Sequence, residues 1–224
     1  MAAQRIALVA GATGLTGGHL LTQLLKDDRY SRSTSLVRKA SPTPNRNRNR
    51  LQLVVDFNKL PTLSKADDAY CCLGTTIKKA GSQAAFRKVD FEFVVNFARA
   101  ARNAGAHRFM VVSSIGANAQ SSIFYSRVKG EMENALREIG FGALHIFQPS
   151  LIVGERKEQR AAERLGIAVF NVMGVAMLGP MRKYRPIDST TIAKAMIEAA
   201  FSDSIGTNTY QSDVIENLSS SFHR

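Results

Sequence analysis

The sequence predicts an α/β fold, a doubly wound parallel sheet, from three observations. Five apolar residues, Ile6 to Ala10, run straight into Gly11, as a buried parallel strand should. Gly11, Gly14 and Gly17 follow at the spacing GxxGxxG, and a helical pattern of His19, Leu20, Leu21, Leu24 and Leu25 takes over at once. Further short apolar strands then alternate with helical stretches, several ending in small or polar residues.

The opening strand–turn–helix is the first unit of a dinucleotide-binding fold of the Rossmann type. Gly11 permits the sharp turn, Gly14 lets backbone approach a pyrophosphate, and Gly17 allows close helix–strand packing. The free amides of the helix start then hold the anion. An ordinary tight turn with three glycines is the bland alternative, and the motif names a ligand class without naming a reaction.

The first helix is expected to end near Asp27 and Asp28, and Ser33 to Val37 reads as the second strand, running into Arg38 and Lys39. An acidic residue there would accept from the ribose 2′-OH of NAD; basic residues suit the 2′-phosphate of NADP, although Arg38 facing solvent is the alternative. Leu51 to Val55 is the third strand, closed by Asp56, which either reaches the adenine or caps the next turn. Ala69 to Leu73 is the fourth, followed by Gly74, Thr75 and Thr76, small enough for a ligand to lie against backbone. A helix from Ser82 to Ala104 turns Phe86, Val89, Phe93, Val94 and Phe97 to the core, and Gly105 ends it.

His107 to Val112 is the fifth strand, ending in Ser113 and Ser114. The helical stretch beyond it carries Tyr125 and Lys129, four apart and so on one face. A tyrosine acid or base needs such a neighbour, since an ammonium stabilises phenolate and pulls its pKa down. A nearby serine hydroxyl would orient a substrate oxygen; which of Ser113 and Ser114 does so depends on how the strand ends. Ala143 to Phe147 is the sixth strand, with Pro149 beyond it. Leu165 to Leu178 is almost wholly apolar and too short to cross a bilayer. It reads as a buried or interface helix, with a hydrophobic substrate wall or a membrane-surface contact as alternatives. Thr191 to Phe201 is a helix, and the serine-rich tail from Asp213 is expected to fray.

At 224 residues the chain fits one domain, with 1–150 as cofactor-binding core and 151–224 as a C-terminal segment closing the site on the substrate side. Adjacent Cys71 and Cys72 offer neither a good disulfide nor metal spacing, so reduced thiols in a cytoplasm and no metal site are expected. No signal peptide is read at the N-terminus. The net charge of +12 includes Arg46, Arg48 and Arg50 in an asparagine-rich loop. A solvated loop is favoured over a nucleic-acid patch, because no aromatic residues interleave with the arginines.

Taken together the motifs resemble the atypical branch of the short-chain dehydrogenase/reductase superfamily. CCLGTT at Cys71 to Thr76, AGSQAAFRKVD at Ala80 to Asp90, SSIGAN at Ser113 to Asn118 and FYSRVKGEME at Phe124 to Glu133 are similar to the Tat-interactive-protein oxidoreductase family, and most of all to its bacterial YraR-like members. The resemblance covers nearly the whole chain. It implies NADP(H) along the strand ends, with Thr13, Gly14, Leu15 and Thr16 at the pyrophosphate and Arg38 and Lys39 on the 2′-phosphate. Leu73 and Gly74, with Thr75 beside them, would line the adenosine side, Tyr125 and Lys129 would sit at the nicotinamide, and Ile152 and Arg160 would close the site. The chain departs from the family in its arginine loop and in Gln148-Pro149, where Arg-Pro is usual. The expected function is an NADP(H)-dependent oxidoreductase acting on a carbonyl or alcohol, with Tyr125 as acid/base; a non-catalytic NADP(H) sensor or scaffold is the rival. Family habit adds a homodimer through the helices carrying Phe93 and Tyr125. Nothing in the chain names the substrate, although the apolar run leans towards something hydrophobic.

Overall fold

The computed structural model describes residues 3–40, 49–154 and 179–220. Seven parallel strands form one sheet: β1 (Arg5–Ala10), β2 (Tyr30–Val37), β3 (Arg50–Val54), β4 (Asp68–Cys71), β5 (Arg108–Val112), β6 (Ala143–Gln148) and, at the far edge, β9 (Gly206–Gln211). The order β3-β2-β1-β4-β5-β6-β9 reverses direction between β1 and β4. Such a switch point opens a crevice at the carboxyl ends of the strands, where sheets of this kind bind ligands. The expected doubly wound sheet is therefore present.

Alternation along β1 builds two cores at once. Leu8 and Ala10 face Leu36, Phe97, Phe109 and Ile146, covered by α4 (Phe93–Asn103) and α5 (Phe124–Arg137). Ala7 and Val9 face Leu20, Met110, Phe147 and Met196, covered by α1 (Leu15–Leu24) and α6 (Ser189–Ala200). Two short helices, α2 (Ile77–Ala80) and α3 (Gln83–Arg87), lead into α4. The expected long helix is nearly continuous, but five of its residues, Lys88–Glu92, form a π-helical turn. Such turns favour functional positions, because the extra residue re-aims the side chains around it.

The C-terminal part departs most from the sequence reading. A pair of two-residue strands, β7 (Ile152–Val153) and β8 (Ile187–Asp188), lies at the carboxyl edge with a 3₁₀ helix at Gly179–Tyr184. The remainder joins the main fold: α6 packs on α1, β9 extends the sheet, and α7 (Ser212–Ser220) buries Ile215. The described parts of 151–224 thus complete the core, and the tail expected to fray from Asp213 is helical to Ser220. The strand GTNTYQ carries no apolar run to announce it; Tyr210 alone anchors it, against His145 and Phe147. The first helix also ends earlier than expected, at Leu24, and β2 starts earlier, at Tyr30, whose hydroxyl reaches Asp68 and Tyr70 at 2.6 Å each. The apolar run Leu165 to Leu178, together with Arg46, Arg48 and Arg160, lies outside the described residues.

His145 gives the fold a pH dependence. It is fully buried in β6, with Nδ1 2.9 Å from the Tyr210 hydroxyl. Burial, helped by Arg108, lowers its pKa to about 4, whereas an unfolded chain would titrate near 6.5. The folded state therefore binds fewer protons than the unfolded one between these values. Its contribution is complete above pH 6.5 and is lost as pH falls towards 4. Denaturant unfolding at pH 7 and pH 4.5 should show wild type losing about 2–3 kcal/mol more than His145→Gln over that interval. Equal losses in the two proteins would remove His145 from the acid response.

Candidate functional site

The glycine turn is built by close contact. Gly11 ends β1 with φ +84, and a Cβ there would lie 2.4 Å from the carbonyl carbon and oxygen of Cys72 at the end of β4. A Cβ on Gly17 would lie 2.2 Å from the Gly11 oxygen, so α1 starts directly against the turn. Gly14 is the N-cap of α1 with φ −82, an ordinary backbone angle, so its lack of a side chain serves approach. No side chain caps α1 and no acid sits in its first turn; the first intrahelical bond is Gly18 N–H to Gly14 O at 2.9 Å. The amides of Leu15, Thr16 and Gly17 precede it and point out of the helix end, a ready anion site. Thr13 is exposed beside them, and the Thr16 side chain is buried. These residues fit a dinucleotide pyrophosphate: the α1 amides are left without a side-chain cap, and a Cβ at Gly11 or Gly17 would collide with the backbone that shapes the turn.

Several other predicted residues follow strands at the same carboxyl edge of the sheet. Arg38 and Lys39 follow β2 and are both exposed. Asp56 follows β3, and its Oδ1 accepts from the backbone N–H (2.9 Å) and Nδ2 (2.6 Å) of Asn58, so it caps the turn. Leu73, Gly74 and Thr75 follow β4. Ile152 lies in β7. Gly154, just beyond it, leaves the space that the Ser189 hydroxyl and the Leu15 side chain occupy, which ties β7 and α6 to the glycine turn. Cys71 is buried in β4, and burial raises its thiol to about 12.

Helix α5 places Tyr125, Lys129, Glu133 and Arg137 in one stripe at four-residue spacing. The Phe86 ring, fully buried on α3, packs 5.4 Å from the Tyr125 ring. Lys129 is buried as well, and its Nζ donates to Asp90 Oδ1 at 2.7 Å. The other Asp90 oxygen accepts from the Thr75 N–H at 2.9 Å. Burial opposes a charge on Lys129, but the Asp90 carboxylate, with Tyr125 and Cys71 beside it, outweighs this and holds the ammonium above the usual lysine range. Lys129, expected beside Tyr125 and the nicotinamide ribose, thus has an acidic partner in Asp90.

The two serines separate. Ser113 is buried and its Oγ donates to Glu133 Oε1 at 2.5 Å. Gln148 donates to both Glu133 oxygens, at 2.9 and 3.1 Å, and Arg137 approaches at 3.3 Å. Ser113 thus belongs to an interior network, in which Gln148, where the resemblance leads one to expect arginine, donates to the Glu133 carboxylate. Ser114 is only partly buried, and its hydroxyl makes just a 3.4 Å contact with Ile115 O. Its loop is held on α5 by Gly130, where a Cβ would lie 2.1 Å from the Ala119 nitrogen. Asp90, Glu133 and Gly130 escaped the sequence reading. Asp90 had left a signal, standing four residues after Phe86 and four before Val94 on the face read as buried.

A glycine cradle at a switch point with a Tyr–Lys helix beside it defines an NAD(P)-binding Rossmann protein. The profile of the NAD(P)H-binding family matches residues 11–149, and the chain belongs to that family. It is 32% identical over 214 residues to Protein HTATIP2 of Rattus norvegicus, covering 93% of this chain and 85% of the relative. It is 32% identical over 197 residues to the mitochondrial protein fmp52 of Aspergillus niger, covering 84% of each. The resemblance to the Tat-interactive-protein family is thus borne out. Among solved structures, a UDP-N-acetylglucosamine 4-epimerase from Methanobrevibacter ruminantium superposes with TM-score 0.69 at 17% identity, covering 93% of this chain and 76% of that one. The oxidoreductase ylbE from Lactococcus lactis superposes with TM-score 0.66 at 19% identity, covering 97% and 96%. These likenesses establish the fold. No helix among the described residues is long and apolar enough to cross a membrane. The fungal relatives are named mitochondrial, at variance with the expected cytoplasm.

Proposed function

We propose that the protein is an NADP(H)-dependent oxidoreductase acting on a carbonyl or alcohol substrate. The observation that supports this reading is the Lys129–Asp90–Thr75 linkage, which ties the helix bearing Tyr125 to the strand end beside the uncapped α1 start. Leu15, Thr16 and Gly17 amides would hold the pyrophosphate, and Arg38 with Lys39 the 2′-phosphate. Asp56, Leu73, Gly74 and Thr75 would line the adenosine and ribose. When bound, the cofactor supplies the hydride. Tyr125 exchanges the proton with the substrate oxygen, Lys129 orients the ribose, and Ser114 donates a hydrogen bond to that oxygen. Exposed Ile123, Leu151 and Val153 at this edge suit an apolar substrate.

The test is a panel of aldehydes, ketones and quinones, followed by loss of NADPH absorbance. Ser114→Ala should lower kcat by about a hundredfold. Ser113→Ala should leave kcat near wild type while costing about 1–3 kcal/mol of stability, because Glu133 loses a buried donor. Equal kcat for wild type and Ser114→Ala would remove Ser114 from the site. Tight NADPH binding with no carbonyl reduced would favour the sensor reading.

A further inference from the structure

The acidic partner of Lys129 has a consequence for the chemistry of Tyr125. The Asp90 side chain is 1% exposed, and that of Lys129 5%, so their 2.7 Å contact is shielded from solvent. The carboxylate comes from the π-helical turn, and its second oxygen takes the amide of Thr75, in the loop after β4. Gly74 brings that loop close: a Cβ there would stand 3.4 Å from Asp90 Oδ1. One side chain therefore joins a strand end of the crevice to the lysine beside Tyr125.

We propose that Asp90 is a positioning residue that clamps the Gly74–Thr75 loop to Lys129 and shares that lysine's charge with Tyr125, so that Tyr125 enters the reaction as a protonated donor for carbonyl reduction. This rests on Tyr125 as the acid of the proposed function. In the proton step the phenolic O–H bond breaks, the proton passes to the substrate oxygen, and the phenolate regains a proton from solvent.

The groups facing Lys129 are few. Asp90 comes from the π turn, Tyr125 from α5 itself and Cys71 from β4, its thiol neutral because burial raises it to about 12. Arg87 and Glu131 pair with each other between α3 and α5. Phe86 covers the Tyr125 ring with hydrocarbon. Asp90 is thus the carboxylate that balances Lys129. Without it the ammonium would act on the phenol alone, and phenolate would form at lower pH.

The experiment is an ultraviolet titration of tyrosinate in cofactor-free protein, which the absence of tryptophan keeps clean. Subtracting the Tyr125→Phe curve isolates Tyr125 from the other four tyrosines. Asp90→Asn should move the Tyr125 midpoint down by about one pH unit or more. An unchanged or higher midpoint overturns the proposal. If that variant does not fold, Asp90→Asn/Lys129→Gln leaves no unpaired buried charge. Its Tyr125 midpoint should stay within about half a unit of wild type, since a balanced pair has been replaced by a neutral one. A larger rise means that Lys129 acts uncompensated, and overturns the proposal. Both readouts come from protein without cofactor or substrate, so their failure is separate from a failure of Tyr125 in turnover.

Discussion

Tyr125→Phe is expected to lower kcat for carbonyl reduction by about a thousandfold, the range of a positioned proton donor. The expectation follows from what the substitution leaves in place. The Phe86 contact at 5.4 Å is made by the ring, which phenylalanine keeps. The Lys129–Asp90 ion pair and the Thr75 amide bond do not pass through the phenol. Loss of the hydroxyl alone should therefore leave folding and NADPH affinity within a few-fold of wild type, and a fall in kcat reports the proton. A variant that turns over at the wild-type rate would show that the substrate takes its proton elsewhere.

Gly11→Ala should be strongly damaging, because it joins a left-handed backbone angle to a direct backbone clash. The backbone at φ +84 costs an L-residue about 1–2 kcal/mol. The new methyl would meet the Cys72 carbonyl at 2.4 Å, and backbone at the sheet's centre has little room to yield; overpacking adds about 1–3 kcal/mol. The sum is a large share of the stability of a domain of this size. Any relief separates the ends of β1 and β4, which are the walls of the crevice. Thermal unfolding should show a marked loss of Tm, and folded variant should have lost NADPH affinity by at least about a hundredfold. A Gly11→Ala protein with wild-type Tm and affinity would contradict the packed turn.

Much of this site was legible because its signals are local. The turn declares itself by glycine spacing, and Tyr125 with Lys129 by the helical period. Strands β1, β5 and β6 are announced by apolar runs, and β2, β3 and β4 by shorter ones that close at Val37, Val54 and Cys71. What escaped depends on partners distant in sequence. Asp90 and Lys129 are brought together by a π turn that no composition announces. Ser113 and Ser114 are equivalent as letters, and only the buried Glu133 separates them. Gly130 reads as an ordinary helical residue until the loop at Asn118 and Ala119 is seen packed on it. Strand β9 is polar because it is an edge, covered on one side by α7 and paired on the other by β6.

The proposed preference for the 2′-phosphate of NADPH can be read in a single fluorescence titration. With no tryptophan in the chain, the cofactor's own emission reports binding. Wild type should bind NADPH at least about tenfold more tightly than NADH, and Arg38→Ala should remove most of that difference while leaving NADH unchanged. Equal affinity for the two cofactors in wild type would rule out a 2′-phosphate site at Arg38 and Lys39, and no binding of either would rule out the dinucleotide site itself.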